Sequence, residues 1–366
     1  MTIPRRIAVV HEWIDARDGS VKTFEQIAGA FPDADLYALT RDPAVDVETA
    51  GRPIRTTWLD RPGVRDRRGV TLPLMPLAWR TQRPLTPYDV VISSHHAFAQ
   101  TNRLARDGTH LVYVHSPARY VWTPELDGRG SNPLLSPARL VLRSVDRRSV
   151  RHVDGYAANS TAVAERIERF WGRRSTVIAP PVDTTFYGIP ATRAPTRDFI
   201  LGAGRWVPYK NLHLVIAVAD RLGLPVKIAG QGPERERLQA AATRARVPVE
   251  LIENPTDEQL RDLYRNAAAL VFPTIEDFGI VPVEAQAAGT PVAAVGIGGA
   301  RDTIVDGETG TLAPSLDVED LVVATAATMG LAAEPCRANA ARFTAERFRA
   351  QIASWVERAT TSGQQG

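Results

Sequence analysis

Short apolar runs alternate with amphipathic stretches along most of this 366-residue chain. The first run, Arg6–Val10, is typical of a buried parallel strand, and a helical pattern follows over Val21–Phe31. Strands that alternate with helices form a parallel sheet with helices on both faces, so the chain is predicted to be an α/β protein. The other predicted strands are Asp35–Leu39, Val90–Ser93, Leu111–His115, Tyr156–Asn159, Phe199–Ala203, Val226–Ala229, Val249–Ile252, Ala269–Phe272, Pro291–Ala294 and Gly310–Leu312.

The strands fall into two sets, since a chain of this length exceeds one ordinary core. Pro180 and Pro181 stiffen the chain between the sets. We expect one domain over residues 1–181 and a second over residues 182–342, with a helix over about 343–366 that packs back on the first. Two doubly wound, Rossmann-like domains facing across a cleft would bind ligands at the carboxyl ends of their strands. Other predicted helices are Asn211–Arg221, Arg235–Arg246 and Thr256–Asn266.

Composition and missing motifs exclude several classes of protein. The single cysteine, Cys336, can form neither an intramolecular disulfide nor a thiolate metal cluster. No segment approaches the roughly 18 apolar residues of a membrane span, and the sequence has no Gly-x-x-x-x-Gly-Lys phosphate loop and no complete Gly-x-Gly-x-x-Gly turn. We expect a cytoplasmic protein without a nucleic-acid partner, at most peripheral at the inner face of the plasma membrane.

Basic residues concentrate in the first half. Residues 1–180 hold 26 basic and 19 acidic side chains, against 18 and 22 in the remainder. Arginines precede the apolar segment Val70–Trp79, and this pairing favours contact with an acceptor or an anionic membrane surface. A second stripe, spaced by four residues, fits a membrane surface or an ion-paired helix face; an arginine-rich composition would also explain the excess. The stripe is Arg139, Arg143, Arg147 and Arg151.

Two loops of the second domain carry candidate binding residues. After the strand Phe199–Ala203, Gly204 lets the backbone approach a ligand, and Arg205 and Lys210 bring positive charge that suits a diphosphate. After Phe272, a helix is expected to begin near Gly279, between two glutamates.

The second loop predicts a site for an anion and for sugar hydroxyls. Unpaired N–H groups at a helix start attract phosphate without a metal. The candidates to bind the phosphate of a donor substrate in this way are Asp277, Phe278, Gly279 and Ile280. Carboxylates accept hydrogen bonds from pairs of hydroxyls, so Glu276 is a candidate to hold a transferred hexose and Glu284 a ribose.

With these residues the chain resembles the retaining family-4 glycosyltransferases of the GT-B fold. The resemblance covers nearly the whole length of the chain. Glu276–Glu284 is similar to the family's paired-glutamate signature, and Arg205 and Lys210 to its phosphate-gripping pair. The segment Pro73–Ala78 adds a similarity to polysaccharide-assembly mannosyltransferases. The resemblance also rests on Gly230–Pro233, Glu258–Tyr264, Gly298–Ala300 and Val305–Gly307.

The resemblance implies a donor site and an acceptor side. It makes His115, Glu276, Arg205 and Lys210 candidate catalytic residues, with His115 near the donor hexose, and adds Gly19, Ser20 and Gly230 to the donor-binding candidates. Ser20 replaces the second glycine that this family usually has in its flexible loop. The candidates for the acceptor side are Lys22, His95, His96 and Arg119.

The implied function is hexosyl transfer, mannose first, from a nucleotide-diphosphate sugar to a glycan or lipid-linked hydroxyl. GDP-mannose is the expected donor, and neither a cofactor nor a metal is expected. Asp33 and Asp35 are interpreted as part of a helix-end turn, and His95 and His96 lack a third ligand at metal-site spacing. Three alternatives stay open: another enzyme class of this fold, a non-catalytic nucleotide-sugar-binding subunit, and an acceptor that is a small-molecule natural product.

Overall fold

A computed structural model describes residues 5–65, 71–123, 136–189 and 194–362. The chain divides into two compact units. Unit 1 comprises residues 1–181 and 346–366, and unit 2 comprises residues 182–345.

Unit 1 is built on a seven-stranded sheet whose strand pairs are all parallel. Its order, β3-β2-β1-β4-β5-β6-β7, is the doubly wound Rossmann order with one strand added at an edge. The order reverses between β1 and β4, where such sheets bind ligands. The strands are β1 (Ile7–Ile14), β2 (Asp35–Arg41), β3 (Ile54–Thr56), β4 (Val90–His95), β5 (Thr109–Val114), β6 (Gly155–Ala158) and β7 (Thr176–Val177).

Apolar side chains cover both faces of this sheet, because successive residues of a strand point to opposite faces. Val10 belongs to one buried cluster, and its neighbour Val9 belongs to the other. The C-terminal helix adds Phe348 and Trp355 to the cluster that contains Val9. The helices of unit 1 are α1 (Gly19–Ala30), α2 (Met75–Thr81), α3 (Arg119–Trp122), α4 (Ser136–Ser149), α5 (Thr161–Trp171) and, at the end of the chain, α14 (Ala345–Ser362).

Unit 2 repeats the plan with a six-stranded parallel sheet of order β10-β9-β8-β11-β12-β13. Its order reverses between β8 and β11. The strands are β8 (Phe199–Ala203), β9 (Val226–Gly230), β10 (Val249–Glu253), β11 (Ala267–Phe272), β12 (Val292–Val295) and β13 (Gly310–Ala313). The helices are α6 (Thr184–Tyr187), α7 (Leu212–Leu222), α8 (Arg235–Arg244), α9 (Asp257–Asn266), α10 (Ile280–Ala287), α11 (Ala300–Thr303), α12 (Val318–Thr328) and α13 (Ala333–Ala340).

The predicted α/β class and the doubly wound parallel sheets are confirmed, while several strand ends differ. β1 continues four residues beyond the predicted end at Val10, to Ile14, because buried His11 and Glu12 find partners inside the unit. β4 likewise continues beyond Ser93 to His95. The short edge strands β3 and β7 were not predicted, because two or three residues carry no periodicity.

A buried carboxylate ties α3, α4 and α5 together. Asp146 on α4 is fully buried and accepts hydrogen bonds from the indole N–H groups of Trp122 (2.7 Å) and Trp171 (2.8 Å) and from the amide of Gln100 (2.6 Å). Burial raises the pKa of Asp146 to about 6, although these hydrogen bonds favour the charged form. The charge therefore costs free energy at neutral pH that its partners only partly offset.

The variant Asp146→Asn is expected to change how stability depends on pH. The pKa of Asp146 in the folded protein exceeds its ordinary value of 3.8, so its contribution is greatest at low pH and is lost as pH rises through about 6. Between pH 4 and pH 7.5 the wild type should lose roughly 1–3 kcal/mol of unfolding free energy relative to the variant. Urea unfolding of both proteins at the two pH values measures this. A difference that stays constant with pH would contradict it.

Candidate active site

The loops at the switch point of unit 2 touch through their backbones. Gly230, at the end of β9, has φ +146°, and a Cβ there would lie 1.9 Å from the carbonyl oxygen of Gly204. The Gly204 N–H donates to the carbonyl of Ala229 (3.0 Å). Gly230 is therefore required for the loops after β8 and β9 to meet, and Gly204, with φ +136°, has a backbone conformation that favours glycine. The sequence could indicate this only as small residues suited to close approach.

Lys210 and Glu276, predicted from two separate motifs, contact each other. Lys210 ends a short 3₁₀ turn after β8, is only 5% exposed, and its Nζ donates to Oε1 of Glu276. The surrounding backbone is fixed by Asn211 Nδ2, which donates to the Pro273 carbonyl (3.0 Å), and by Thr274 Oγ1, which donates to the Lys210 carbonyl (3.1 Å). The loops after β8 and β11 thus form one rigid cation–carboxylate site.

A glycine pair after β12 supports the Glu276 loop from beneath. The Gly299 N–H donates to the Glu276 carbonyl (2.8 Å). A Cβ on Gly298 would lie 2.4 Å from that same carbonyl oxygen, and a Cβ on Gly299 would lie 2.3 Å from Cα of Phe278. The segment that carried part of the family resemblance therefore packs directly under the predicted donor-binding loop.

Helix α10 begins beside this pair. Gly279 is the N-cap of α10 and has φ +97°. No side chain among the described residues caps the backbone N–H groups at the start of this helix. Asp277 and Phe278 are buried, and the Phe278 ring packs against Phe343 (5.5 Å between centroids). Arg205 is exposed and donates to the Tyr209 hydroxyl (2.8 Å). The helix start, the buried lysine and this exposed arginine together suit a phosphate group.

Glu284 lies one turn into α10, closer to the helix start than the sequence spacing indicated. Its Oε2 accepts a hydrogen bond from the hydroxyl of Tyr264 on α9 (2.9 Å). Burial, followed by the Glu284 charge, raises the pKa of Tyr264 well above its usual value, so this hydroxyl stays protonated and donates. The family resemblance included Tyr264 in the segment Glu258–Tyr264, but the sequence did not reveal its contact with Glu284, which joins residues 20 positions apart.

In unit 1, three histidines lie close together: His11 in the second half of β1, His96 directly after β4 and His115 directly after β5. His11 Nδ1 lies 3.0 Å from Oγ of Ser94, and that oxygen lies 2.8 Å from Nε2 of His115. The His96 ring lies 5.6 Å from that of His11 and 6.0 Å from that of His115. Two of the predicted residues, His96 and His115, are thus neighbours. His11 and Ser94 were missed because each lies one residue beyond a predicted strand and belongs to no motif.

His95 was expected beyond the end of the predicted strand Val90–Ser93, and that position is wrong. His95 is the last residue of β4 and is fully buried, with Nδ1 3.5 Å from Oε1 of Glu12. Glu12 accepts backbone N–H groups of Ala97 (3.0 Å) and Ala99 (2.5 Å) and the indole N–H of Trp79 (3.3 Å). Burial raises the pKa of Glu12 to about 7, despite these bonds. His95 therefore serves the interior, since extending β4 by two residues turns its side chain inward.

The predicted loop at Gly19 and Ser20 is instead the first turn of α1. Asp18 caps the helix, accepting the N–H groups of Ser20 (2.8 Å) and Val21 (3.1 Å) and the Ser20 hydroxyl (2.7 Å). An aspartate is among the best N-caps, which explains the early start. Gly19 and Ser20 remain candidates only as part of a helix N-terminus. Lys22 is exposed on this helix, and Arg119 begins α3 half-buried.

The sequences that suggested metal sites have other partners. Asp35 is the first residue of β2, and its carboxylate accepts the Tyr88 hydroxyl (2.7 Å), while Asp33 precedes it in a turn. Among the residues that the structure describes, no three His, Cys, Asp or Glu side chains are grouped so as to hold a metal ion.

The basic segments of unit 1 also have specific contacts. The Arg143 and Arg147 guanidinium groups of the predicted stripe lie over the Trp122 ring, at 5.4 and 5.0 Å from its centroid. In the apolar segment, Trp79 is fully buried whereas Leu74 and Leu77 are 42% and 52% exposed. Arginines 67 and 68 lie outside the described residues. Within the described part of the chain, no helix is long and apolar enough to cross a membrane.

Two Rossmann-like parallel-sheet domains with this strand order are typical of GT-B glycosyltransferases, so the predicted fold class is confirmed. Residues 18–186 match the family described as Glycosyltransferase Family 4, and residues 190–332 match Glycosyl transferases group 1. The chain therefore carries both domains of the family-4/group-1 glycosyltransferases.

Individual proteins of this kind are similar over most of the chain. D-inositol 3-phosphate glycosyltransferase of Rhodococcus opacus is 29% identical over 296 residues, which are 73% of this chain and 64% of that protein. The chain thus matches less than two thirds of that relative. Two solved structures share the fold: Anabaena HepE with UDP and glucose (TM-score 0.69, 17% identity) and sucrose-phosphate synthase from Thermosynechococcus elongatus (TM-score 0.72, 17% identity). The match with each structure covers 97% of this chain and 100% of the chain in that structure.

Because Gly299 packs under the donor-binding loop, we expect an alanine at this position to lower the free energy of unfolding, whereas an alanine at an open glycine position should not. Gly299→Ala places a methyl group against the Phe278 backbone, so the unfolding free energy should fall by about 1–3 kcal/mol. Gly330→Ala is the matched control, because a Cβ there meets nothing within 4 Å. Chemical denaturation of both variants tests this, and equal stability of the two would show that the loop adapts without cost.

Proposed function

We propose that this protein is a retaining, metal-independent hexosyltransferase that uses a nucleotide-diphosphate sugar. The observation that carries the proposal is the buried Lys210–Glu276 contact beside the uncapped start of α10. That arrangement combines a phosphate site with a carboxylate suited to sugar hydroxyls, and it lies in a chain with both glycosyltransferase domains.

In the proposed reaction, the charges of unit 2 replace a metal ion. Arg205, Lys210 and the N–H groups at the start of α10 bind the diphosphate and stabilise the negative charge that forms as it leaves. The bond between the anomeric carbon and the phosphate oxygen breaks, and a new bond forms from the acceptor oxygen on the same face. The acceptor proton passes to the leaving phosphate, so the mechanism needs no nucleophile from the protein.

The proposed donor is GDP-mannose, and a UDP-sugar is its first competitor. GDP-mannose follows from the sequence resemblance to mannosyltransferases, whereas the solved HepE structure contains UDP and glucose. We propose that the half-buried Glu284, held by Tyr264, accepts hydrogen bonds from the ribose hydroxyls of the donor. This contact would be the same for any of these nucleotides.

The proposed acceptor is a hydroxyl of a glycan or a lipid-linked glycan in cell-surface polysaccharide or glycolipid assembly. A second candidate is a small molecule, because relatives at 29–31% identity are named as acting on D-inositol 3-phosphate. Parallel assays with polyprenyl-linked glycans and with inositol phosphates separate the two.

We also propose that unit 1 contacts an anionic membrane surface. Leu77 is exposed on α2, and Leu74 is exposed just before this helix begins. Arg80 and Arg83 are exposed a few residues further along the chain. Each cation adds on the order of 1 kcal/mol near such a surface. Cosedimentation with phosphatidylglycerol vesicles should be strong for the wild type and should fall at least about threefold for Leu77→Glu. Binding to neutral phosphatidylcholine vesicles that equals binding to anionic ones would contradict the proposal.

The role of Glu276 is tested with Glu276→Gln. Alanine at this position would leave the buried Lys210 without a partner and would destabilise unit 2, so glutamine is the better probe. A thermal-shift screen of nucleotide sugars first identifies the donor, since only a ligand of the native state raises the melting temperature. With that donor, turnover should fall roughly 100-fold or more. The melting temperature should fall less than in Glu276→Ala, because the glutamine oxygen can still accept a hydrogen bond from Lys210.

The control is Glu319→Gln on α12, an exposed glutamate paired with Arg221. It should keep wild-type turnover. Wild-type turnover in Glu276→Gln would overturn the assignment, and donor binding by the wild type without transfer to any acceptor would favour a non-catalytic subunit. Product anomers identified by NMR, with EDTA present, test retention and metal independence in the same assay.

A further inference from the structure

The contacts of Ser94 link the protonation of two histidines in unit 1. A serine hydroxyl has one hydrogen, so it can donate to only one ring at a time. Within the described residues its partners are His11 Nδ1 (3.0 Å) and His115 Nε2 (2.8 Å). At least one of the two rings must therefore donate to Ser94, and the other must accept if the hydroxyl hydrogen is to have a described partner.

The buried end of this chain of hydrogen bonds determines its direction. His11 is fully buried, and its Nε2 has no hydrogen-bond partner among the described residues. Leaving a buried N–H without an acceptor is the rarer and less favourable arrangement, whereas an acceptor with an unused lone pair is better tolerated. The His11 proton is therefore expected on Nδ1, where Ser94 accepts it.

The surroundings also keep His11 neutral. Burial, followed by the nearby His96 and His115, lowers the pKa of His11 well below its ordinary value. A neutral ring with its proton on Nδ1 has only a lone pair on Nε2. Having accepted this proton's hydrogen bond, the Ser94 hydroxyl has one described acceptor left for its own hydrogen, which is Nε2 of His115.

We propose that His11 donates to Ser94, that Ser94 donates to Nε2 of His115, and that His115 is thereby held as the tautomer protonated on Nδ1. His11 and Ser94 are positioning residues in this arrangement. The backbone of His115 is fixed at the same time, because its N–H donates to the His95 carbonyl (2.8 Å) and its carbonyl accepts from Asn159 Nδ2 (2.9 Å).

The tautomer has a consequence for transfer, and this part rests on the proposed function. With its proton on Nδ1 and its Nε2 lone pair accepting from Ser94, His115 has no basic lone pair left. A His115 ring in this form would not remove a proton from the acceptor. A transfer in which the leaving phosphate takes the acceptor proton requires no such base.

Nitrogen NMR of the whole chain with ¹⁵N-labelled histidine reads the tautomer directly, because two-bond proton–nitrogen patterns differ between the two forms. His110 is an internal reference: its Nδ1 lies 3.1 Å from the carbonyl of His152, which can only accept, so Nδ1 carries the proton. His11 and His115 should show the same pattern as His110. A pattern of Nε2 protonation for His115 would overturn the proposal.

Two neighbouring serines provide matched variants. Ser94→Ala should convert His115 from a single tautomer to a mixture while leaving the His110 signals unchanged. Ser93→Ala is the control, because the Ser93 hydroxyl contacts His110 Nε2 (2.9 Å) instead. It should shift His110 and leave His115 as it was. An unchanged His115 tautomer in Ser94→Ala would show that Ser94 does not set it, and the wild-type spectrum decides if a variant fails to fold.

The activity test compares His115→Asn with His115→Gln. The asparagine amide nitrogen occupies about the position of Nδ1 and the glutamine nitrogen that of Nε2, so asparagine should retain about tenfold more turnover. Equal turnover, or more in the glutamine variant, would overturn the inference that transfer uses the form of His115 protonated on Nδ1. A wild type without transferase activity would reject the proposed function but leave the tautomer result standing.

Discussion

A lysine ammonium that is almost completely buried needs a charged partner, and unit 2 is arranged around that requirement. An unpaired charge of this kind would cost several kcal/mol. Glu276 supplies the partner, and it can do so only because the loops after β8 and β11 are tied together by Asn211 and Thr274. The glycines under the Glu276 loop remove the side chains that would push it away. The same pairing leaves a cation and a carboxylate next to an uncapped helix start.

In unit 1, the strands at the switch point of the sheet carry buried polar side chains instead of a buried lysine. Its strands continue past their apolar runs and bury histidine and glutamate side chains, which then need partners inside the fold. Glu12 takes two backbone N–H groups and an indole, while His11 and His115 share one serine hydroxyl. The result is a set of side chains whose protonation is decided by their neighbours rather than by solvent.

The fold was largely predictable from the chain, and the candidate site only in part. Strand β8 begins and ends at the predicted residues, because its apolar run is too short for an ordinary helix and is followed by Gly204. β1 was predicted too short because polar residues after an apolar run normally end a strand, and no local signal shows that His11 and Glu12 have internal partners. The capping of α1 by Asp18 was missed although an aspartate before a helical pattern is a recognised start signal.

The sequence by itself determined the α/β class, the two domains of parallel strands and the motifs that identify a glycosyltransferase, because these depend on local periodicity and on spacing within single loops. Tertiary structure decided which of those residues meet. Lys210 and Glu276 are 66 positions apart, and Ser94 stands 83 positions from His11, so their contacts arise only when adjacent strands place their ends together. It also decided which predicted residues are inaccessible: His95 and His96 are neighbours in the chain, but the pleat of β4 buries the first, and strand ends cannot be located from periodicity alone.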